Sequence, residues 1–100
     1  MTTADLAEAF AALAEAVDAR GSAVAIRTAL ERTHAMCEAL SGQKPTAAVR
    51  QALEEAQIAL RAWREVWPRL GAQHDFRAAV VREARGWATR AASLSPRGAS

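Results

Sequence analysis

Apolar residues recur at steps of three and four along most of this chain, and the longest such run lies between Thr46 and Leu70. Its members are Val49, Leu53, Ala56, Leu60, Trp63, Trp67 and Leu70. Because an α-helix turns by about 100° per residue, these positions share one side of a helix. Two of the three tryptophans of the chain fall on that side. The pattern predicts a central helix whose tryptophan-bearing side faces inward, with the other segments packed around it.

Three further segments show the same helical periodicity. Their inward positions are predicted to be 6, 10, 13 and 17, then 26, 30, 33, 37 and 40, and finally 76, 80, 84, 87, 91 and 94. Near Gly21 the first two series fall out of phase, and a segment with Gly42 and Pro45 separates the second series from the third. No alternating apolar–polar run predicts a strand. We therefore predict an all-α, up-and-down bundle of three to four helices, at about 4–20, 23–40, 46–70 and 75–94, with the first helix kinked or broken at Gly21.

Local signals set the expected ends of these helices. Thr2 or Thr3, Thr46 and Asp75 are of the residue types that cap helix N-termini. Pro68 has no backbone N–H, so the central helix should kink or end there. We expect a single domain over residues 1–94 and a flexible C-terminal tail over residues 95–100.

Composition suggests that one copy of the chain is only marginally stable alone. Alanine contributes 27 of the 100 residues, whereas leucine, isoleucine, valine and phenylalanine together contribute 18. Alanine buries little apolar area, whereas ordering each residue costs about 1.5 kcal/mol. Self-association would add the buried area that the isolated chain lacks.

The composition and the absence of an apolar segment indicate the source and the compartment of the protein. Twelve arginines against one lysine, together with the alanines, are typical of a GC-rich, by our interpretation bacterial, genome. The only cysteine, Cys37, cannot form an internal disulfide and suits a reducing compartment. No apolar run is long enough for a membrane helix, and the acidic start is unlike a secretion signal. We expect a cytoplasmic protein without membrane contact.

Charge is also unevenly distributed. Residues 1–18 carry four acidic side chains and no basic one, whereas residues 57–97 carry eight arginines and three acidic side chains. An acidic first helix beside basic later helices explains this pattern, and so does a basic surface for an acidic partner. Ala14, Val17 and Val24 resemble part of a helix-turn-helix DNA reader, although Asp18 stands where that motif usually has glycine. Nucleic-acid binding or RNA processing by the arginine-rich half is therefore the alternative function.

Two residue spacings around His34 resemble motifs of metal-binding or catalytic proteins. Glu31-x-x-His34, with Glu38 beyond it, resembles half of the ligand set of a di-iron bundle, and a second such unit is missing from the chain. Arg27-x6-His34 faintly resembles the signature of HEPN ribonucleases, which pair two such motifs across a dimer. That resemblance implies a role in RNA cleavage for Arg27 and His34 alone. We assign no metal, no cofactor and no catalytic residue. Whether Arg27, Glu31 and His34 have a chemical role is left open.

No complete set of nucleophile, base and orienting residue can be assembled from this sequence. We therefore predict a protein that is not an enzyme and that mediates protein–protein interaction or assembly, as a homo-oligomer or an adaptor. The expected partner contacts are the heaviest apolar side chains and the arginines beside them. They are Trp63, Trp67, Leu70 and Trp87, with Arg61 and Arg64 at the rim.

Overall fold

The computed structural model describes residues 1–94, which form four helices. They are α1 (Thr3–Asp18), α2 (Ala23–Ser41), α3 (Ala47–Leu70) and α4 (His74–Ser93). No strand occurs among these residues. The predicted all-α class is confirmed, and each predicted helix end lies within two residues of the observed one. The predicted flexible tail, 95–100, lies outside the described residues.

Side chains cap three of the four helices. The hydroxyl of Thr2 accepts a hydrogen bond from the Asp5 N–H, and the Asp5 carboxylate accepts one from the Thr2 N–H at 2.8 Å. Ser22 and Thr46 likewise cap α2 and α3. The prediction that Asp75 caps α4 is wrong, because α4 begins one residue earlier, at His74, and its N-cap residue has no side-chain capping bond. Asp75 instead lies in the first turn, where its negative charge interacts favourably with the positive end of the helix dipole.

The break between α1 and α2 uses a left-handed residue at Arg20. Arg20 has φ of 57°, and its N–H donates to the Val17 carbonyl at 3.1 Å. The Gly21 N–H donates to the Ala16 carbonyl at 2.8 Å. These two bonds form a Schellman closure of α1. The geometry is compatible with the predicted break at Gly21, although the left-handed conformation falls one residue earlier.

The prediction that Pro68 ends α3 is wrong, because the helix continues to Leu70 and Gly71 follows it. Pro68 lies within the last turn of α3, and the chain stays helical for two further residues. Gly71 follows, and its N–H donates to the Trp67 carbonyl at 2.8 Å. A Cβ atom at Gly71 would lie only 2.6 Å from Nε1 of Trp67. Since Gly71 has φ of −61°, the glycine is required by this close approach and not by its backbone conformation.

The helices differ in how closely they pack. The contact between α1 and α4 is the most extensive, followed by α1 with α2 and α2 with α3, and this order is compatible with the predicted up-and-down bundle. Buried Ala14 and Ala84 let α1 and α4 approach closely. Asp18 and Arg85 form an exposed ion pair across that contact at 3.4 Å, so the acidic first helix does lie beside a basic one. The backbones of α3 and α4 are the least closely packed of the four neighbouring pairs.

The core comes mostly from the predicted inward sides of the helices. On α4 that prediction is confirmed for Val80, Ala84 and Ala91, whereas the other three predicted positions are half-buried, namely Phe76, Trp87 and Leu94. Every predicted inward position of α1 and α2 is buried. Thr33, a buried polar residue, donates its hydroxyl hydrogen to the Ala29 carbonyl at 2.7 Å. The predicted inward side of α3 is confirmed along its middle, from Leu53 to Trp63, whereas Trp67 and Leu70 near its end are half-buried.

Candidate interaction face

The three tryptophans differ in how completely the chain covers them. Trp63 is 6% exposed and belongs to the core, whereas Trp67 and Trp87 are half-buried. The Trp87 ring is stacked on Phe10 of α1, with 5.9 Å between ring centroids and 20° between ring planes. Trp67 packs against Phe76 at a centroid distance of 5.3 Å. Both half-buried indoles are therefore fixed on one side by aromatic partners and reach solvent on the other.

Arg90 joins α4 to α3 beside Trp87. Its guanidinium lies over the Trp87 ring, 4.9 Å from the centroid, and its Nη1 donates to Oε1 of Glu55 at 3.1 Å. This hydrogen bond, together with the positive charge of Arg90, lowers the pKa of Glu55. The pair keeps Glu55 ionised and holds the Arg90 side chain along the surface between the two helices.

One strip of α3 and one strip of α4 border that surface, and we refer to them together as the α3/α4 face. Steps of three and four place the members of each strip on one side of their helix. The Glu55–Arg90 hydrogen bond shows that the two strips adjoin. On α3 the face comprises Glu55, Ala59, Ala62, Val66 and Leu70, and on α4 it comprises Phe76, Ala79, Glu83, Gly86, Trp87 and Arg90.

The α3/α4 face is mostly apolar and incompletely covered. Four of its large apolar side chains are half-buried, namely Val66, Leu70, Phe76 and Trp87. They lie along the pair of helices whose backbones are least closely packed. A surface on which several large apolar side chains are incompletely covered can contact another protein, because covering them removes apolar area from water.

The residues predicted from the sequence as partner contacts lie in different parts of the structure. Leu70 and Trp87 lie on the α3/α4 face, and Trp63 is buried beneath it. Arg61 and Arg64 are exposed, but Arg64 lies towards α2, in a groove of about 330 Å³ that it shares with Arg27, Glu31, Trp67 and Pro68. The arginine that borders the α3/α4 face is Arg90, and a partner contact by Arg61 or Arg64 stays a prediction. Arg90 was not among the predicted partner contacts, although its spacing of three from Trp87 on a helix indicates the contact.

Trp67 lies at one end of the bundle under a second arginine. The Arg77 guanidinium is 5.7 Å from the centroid of the Trp67 ring. It also donates to the Gly71 carbonyl at 2.7 Å and to the Val17 carbonyl at 2.9 Å. Arg77 is therefore committed to contacts within the chain, and we assign it a structural role.

The candidate chemical groups of α2 are placed as follows. Nδ1 of His34 lies 3.5 Å from Oε1 of Glu38, and Arg27 lines the groove towards Arg64. Burial, and secondarily the charge of Glu38, raises the pKa of the Cys37 thiol to about 12, so it stays protonated and unreactive at neutral pH. Across residues 1–94, no three His, Cys, Asp or Glu side chains are grouped so that they could hold a metal ion.

Two further findings bear on function. Among the helices within residues 1–94, none has both the length and the apolar character that crossing a membrane requires. Comparison with known proteins finds no family model, no curated protein and no solved structure that matches this chain.

Proposed function

We propose that this chain is a cytoplasmic assembly module without enzymatic activity, which forms homo-oligomers through its α3/α4 face. The observation that carries the proposal is the incomplete burial of four large apolar side chains along the most loosely packed pair of helices, namely Val66, Leu70, Phe76 and Trp87. Apolar side chains scattered singly over a surface are ordinary, but adjacent large ones favour an interaction site.

The charges of the α3/α4 face are few and suited to burial. Glu55 and Arg90 already neutralise each other across the two helices. Glu83 is the third charged residue of the face, and it is exposed and has no bonding partner among residues 1–94. A partner that covers the face would have to neutralise Glu83. It would also meet Arg69 and Arg82 at the borders, three residues after Val66 and four residues before Gly86.

The amino-acid composition favours a second copy as the partner. A chain with 27 alanines and 18 larger aliphatic or phenylalanine residues buries little apolar area alone. In the up-and-down arrangement that we propose for the bundle, two copies meeting at this face would cover the exposed edges of the aromatic side chains in both. Association would then contribute directly to the folding stability of each chain.

Two matched substitutions on α3 test the proposal. Val66→Glu places a carboxylate inside the proposed contact, whereas Gln57→Glu places one nine residues earlier, half a turn around the helix, on the opposite side of α3. The mass of each variant is measured by size exclusion with light scattering, and helix content is checked by circular dichroism. We expect Val66→Glu to lower the mass to that of one chain and Gln57→Glu to leave the oligomer intact. The reverse result would place the contact on the opposite side of α3.

A second candidate function is supported by the groove between α2 and α3. Arg27 and Arg64 line it together with Trp67, and neither guanidinium has a hydrogen-bonding partner among the described residues. Arginine beside an exposed indole edge is a combination that binds single-stranded nucleic acid. Binding of a fluorescent RNA that weakens with salt, and that weakens more in Arg64→Ala than in Arg82→Ala, would support this function. Equal binding by both variants would exclude the groove as the site.

A further inference from the structure

We infer that an open cavity at one end of the bundle binds a small phosphomonoester. The cavity has a volume of about 460 Å³ and lies between the turn that joins α1 to α2 and the first half of α4. Its basic side chains are Arg20, His74 and Arg77. None of its lining residues belongs to the α3/α4 face, so this site goes beyond the proposed function and does not depend on self-association.

The guanidinium of Arg77 is fixed in place before any ligand binds. It donates to the Gly71 carbonyl at 2.7 Å and to the Val17 carbonyl at 2.9 Å. A guanidinium has five N–H groups, so these two hydrogen bonds leave three that have no partner among residues 1–94. Because the side chain is already held by its own chain, it loses little conformational entropy when an anion binds.

Arg20 occupies a position where glycine would suit the backbone better. Its φ of 57° is left-handed, a conformation that costs free energy for every residue with a Cβ atom. Its side chain is exposed and forms no hydrogen bond or ion pair within the described part of the chain. The stability of the fold therefore does not account for an arginine here. A second guanidinium at the cavity of Arg77 is explained when the two bind an anion together.

The acidic side chains around the cavity leave it positively charged. Asp18 lines the cavity, and its carboxylate lies 3.4 Å from the guanidinium of Arg85. Asp75 follows His74 by one residue, which places it about 100° around α4 and outside the lining. Even without Arg85, the two guanidinium groups of the lining outnumber its one carboxylate. The cavity therefore favours an anion over a neutral ligand.

The size and the lining of the cavity favour a phosphate group that is attached to a small carbon skeleton. Three side chains with N–H donors suit the three terminal oxygens of a phosphomonoester, whereas a carboxylate has only two. Val17, Ala78 and Val81 add apolar surface to the lining. A volume of about 460 Å³ is typical of sites for small organic ligands. An organic phosphate uses both parts of the lining, and the free ion uses only one.

Titration of the isotope-labelled native chain with phenyl phosphate at constant ionic strength tests the site by NMR. The amide signals of Gly21 and Ala72 should shift and saturate, because both residues line the cavity. Inorganic phosphate and benzoate should each bind at least about threefold more weakly, since one lacks the carbon skeleton and the other lacks the third oxygen. Shifts that do not saturate, or that lie elsewhere, would overturn the site. Equal affinity for inorganic phosphate or for benzoate would overturn the assignment to a phosphomonoester.

Two matched glycine substitutions separate binding from folding. Arg20→Gly removes a guanidinium and relieves the left-handed backbone. Lys44→Gly is the control, because Lys44 is also basic, has a left-handed φ of 53° and lies outside the cavity. We expect both variants to be at least as stable as the native chain in urea, and Arg20→Gly alone to weaken binding of phenyl phosphate at least about fivefold.

Two results would contradict the role of Arg20. One is equal affinity of the two glycine variants for phenyl phosphate. The other is an Arg20→Gly chain that is less stable than the native chain but binds phenyl phosphate as tightly. A native chain that stays monomeric at every concentration would contradict the proposed function and leave the cavity site standing.

Discussion

Arg77 on α4 donates a hydrogen bond from Nη2 to the carbonyl oxygen of Val17 on α1, 60 residues earlier in the chain, at 2.9 Å. Its Nη1 donates to the Gly71 carbonyl at the end of α3 at 2.7 Å. The last carbonyls of a helix lack the usual partner within the helix, and the Val17 carbonyl accepts from Arg77 in addition to the Arg20 N–H. One guanidinium therefore ties the C-terminal ends of two helices to a third helix.

We predict that Arg77→Ala lowers the free energy of unfolding by about 2–3 kcal/mol, because two charge-assisted hydrogen bonds and a contact with Trp67 are lost. Arg77→Lys should recover only part of the loss, since an ammonium cannot present the same planar pair of donors. Urea unfolding followed by circular dichroism measures both effects. Arg82→Ala is the control, because that exposed side chain has no bonding partner among residues 1–94. If Arg77→Ala changed stability as little as Arg82→Ala, Arg77 would not connect the helices.

The close contact of Gly71 with Trp67 leads to a second prediction. Gly71→Ala places a methyl group 2.6 Å from Nε1 and 2.7 Å from the carbonyl oxygen of Trp67, so both the indole and the backbone after α3 must shift. We expect a loss of about 1–3 kcal/mol and a change in tryptophan emission. Gly42→Ala is the matched control, because Gly42 also ends a helix with negative φ, and its nearest neighbour would lie at an ordinary 3.5 Å. Similar stabilities for the two variants would show that Trp67 does not need the glycine.

The buried thiol of Cys37 makes stability depend on pH at the alkaline end. Burial raises the pKa of Cys37 from 9.0 to about 12. Below pH 9 the thiol is neutral in both the folded and the unfolded chain. Above pH 9 it ionises in the unfolded chain but not in the folded one, and this ionisation makes unfolding more favourable. Stability should therefore fall as pH rises from 9 to 12, by up to about 1.4 kcal/mol per pH unit. In urea unfolding midpoints across this range, Cys37→Ala should lack this decline. An identical decline in both chains would assign it to another group.

Helical periodicity was sufficient to predict most of the core. Half of the positions predicted to face inward on α4 are only half-buried, and the buried Ala14, Ala52 and Val81 were not predicted. The inward positions of α1 and α2, and those of α3 from Leu53 to Trp63, are buried because steps of three and four fix one side of a helix whatever packs against it. Helix ends were less predictable. Gln73 precedes α4 without a capping bond, and the best capping residue nearby, Asp75, falls inside the helix.

Contacts between distant segments were not readable from the sequence. The spacing of Arg77 on α4 gives no sign that it reaches Val17, because such a bond depends on which helix ends meet. The candidate interaction face shows the same limit. Leu70 and Trp87 follow from periodicity and size, but the side of α3 that remains uncovered depends on how closely each neighbouring helix approaches it. For this reason Arg90 borders the face, and Arg64 lies towards α2.

Sedimentation equilibrium of the native chain over a wide concentration range is the most direct test of self-association through the α3/α4 face. We predict a mass that approaches twice 10.7 kDa as concentration rises and that stays at 10.7 kDa when Val66 is replaced by glutamate. A stable native monomer of 10.7 kDa at every concentration would contradict the account.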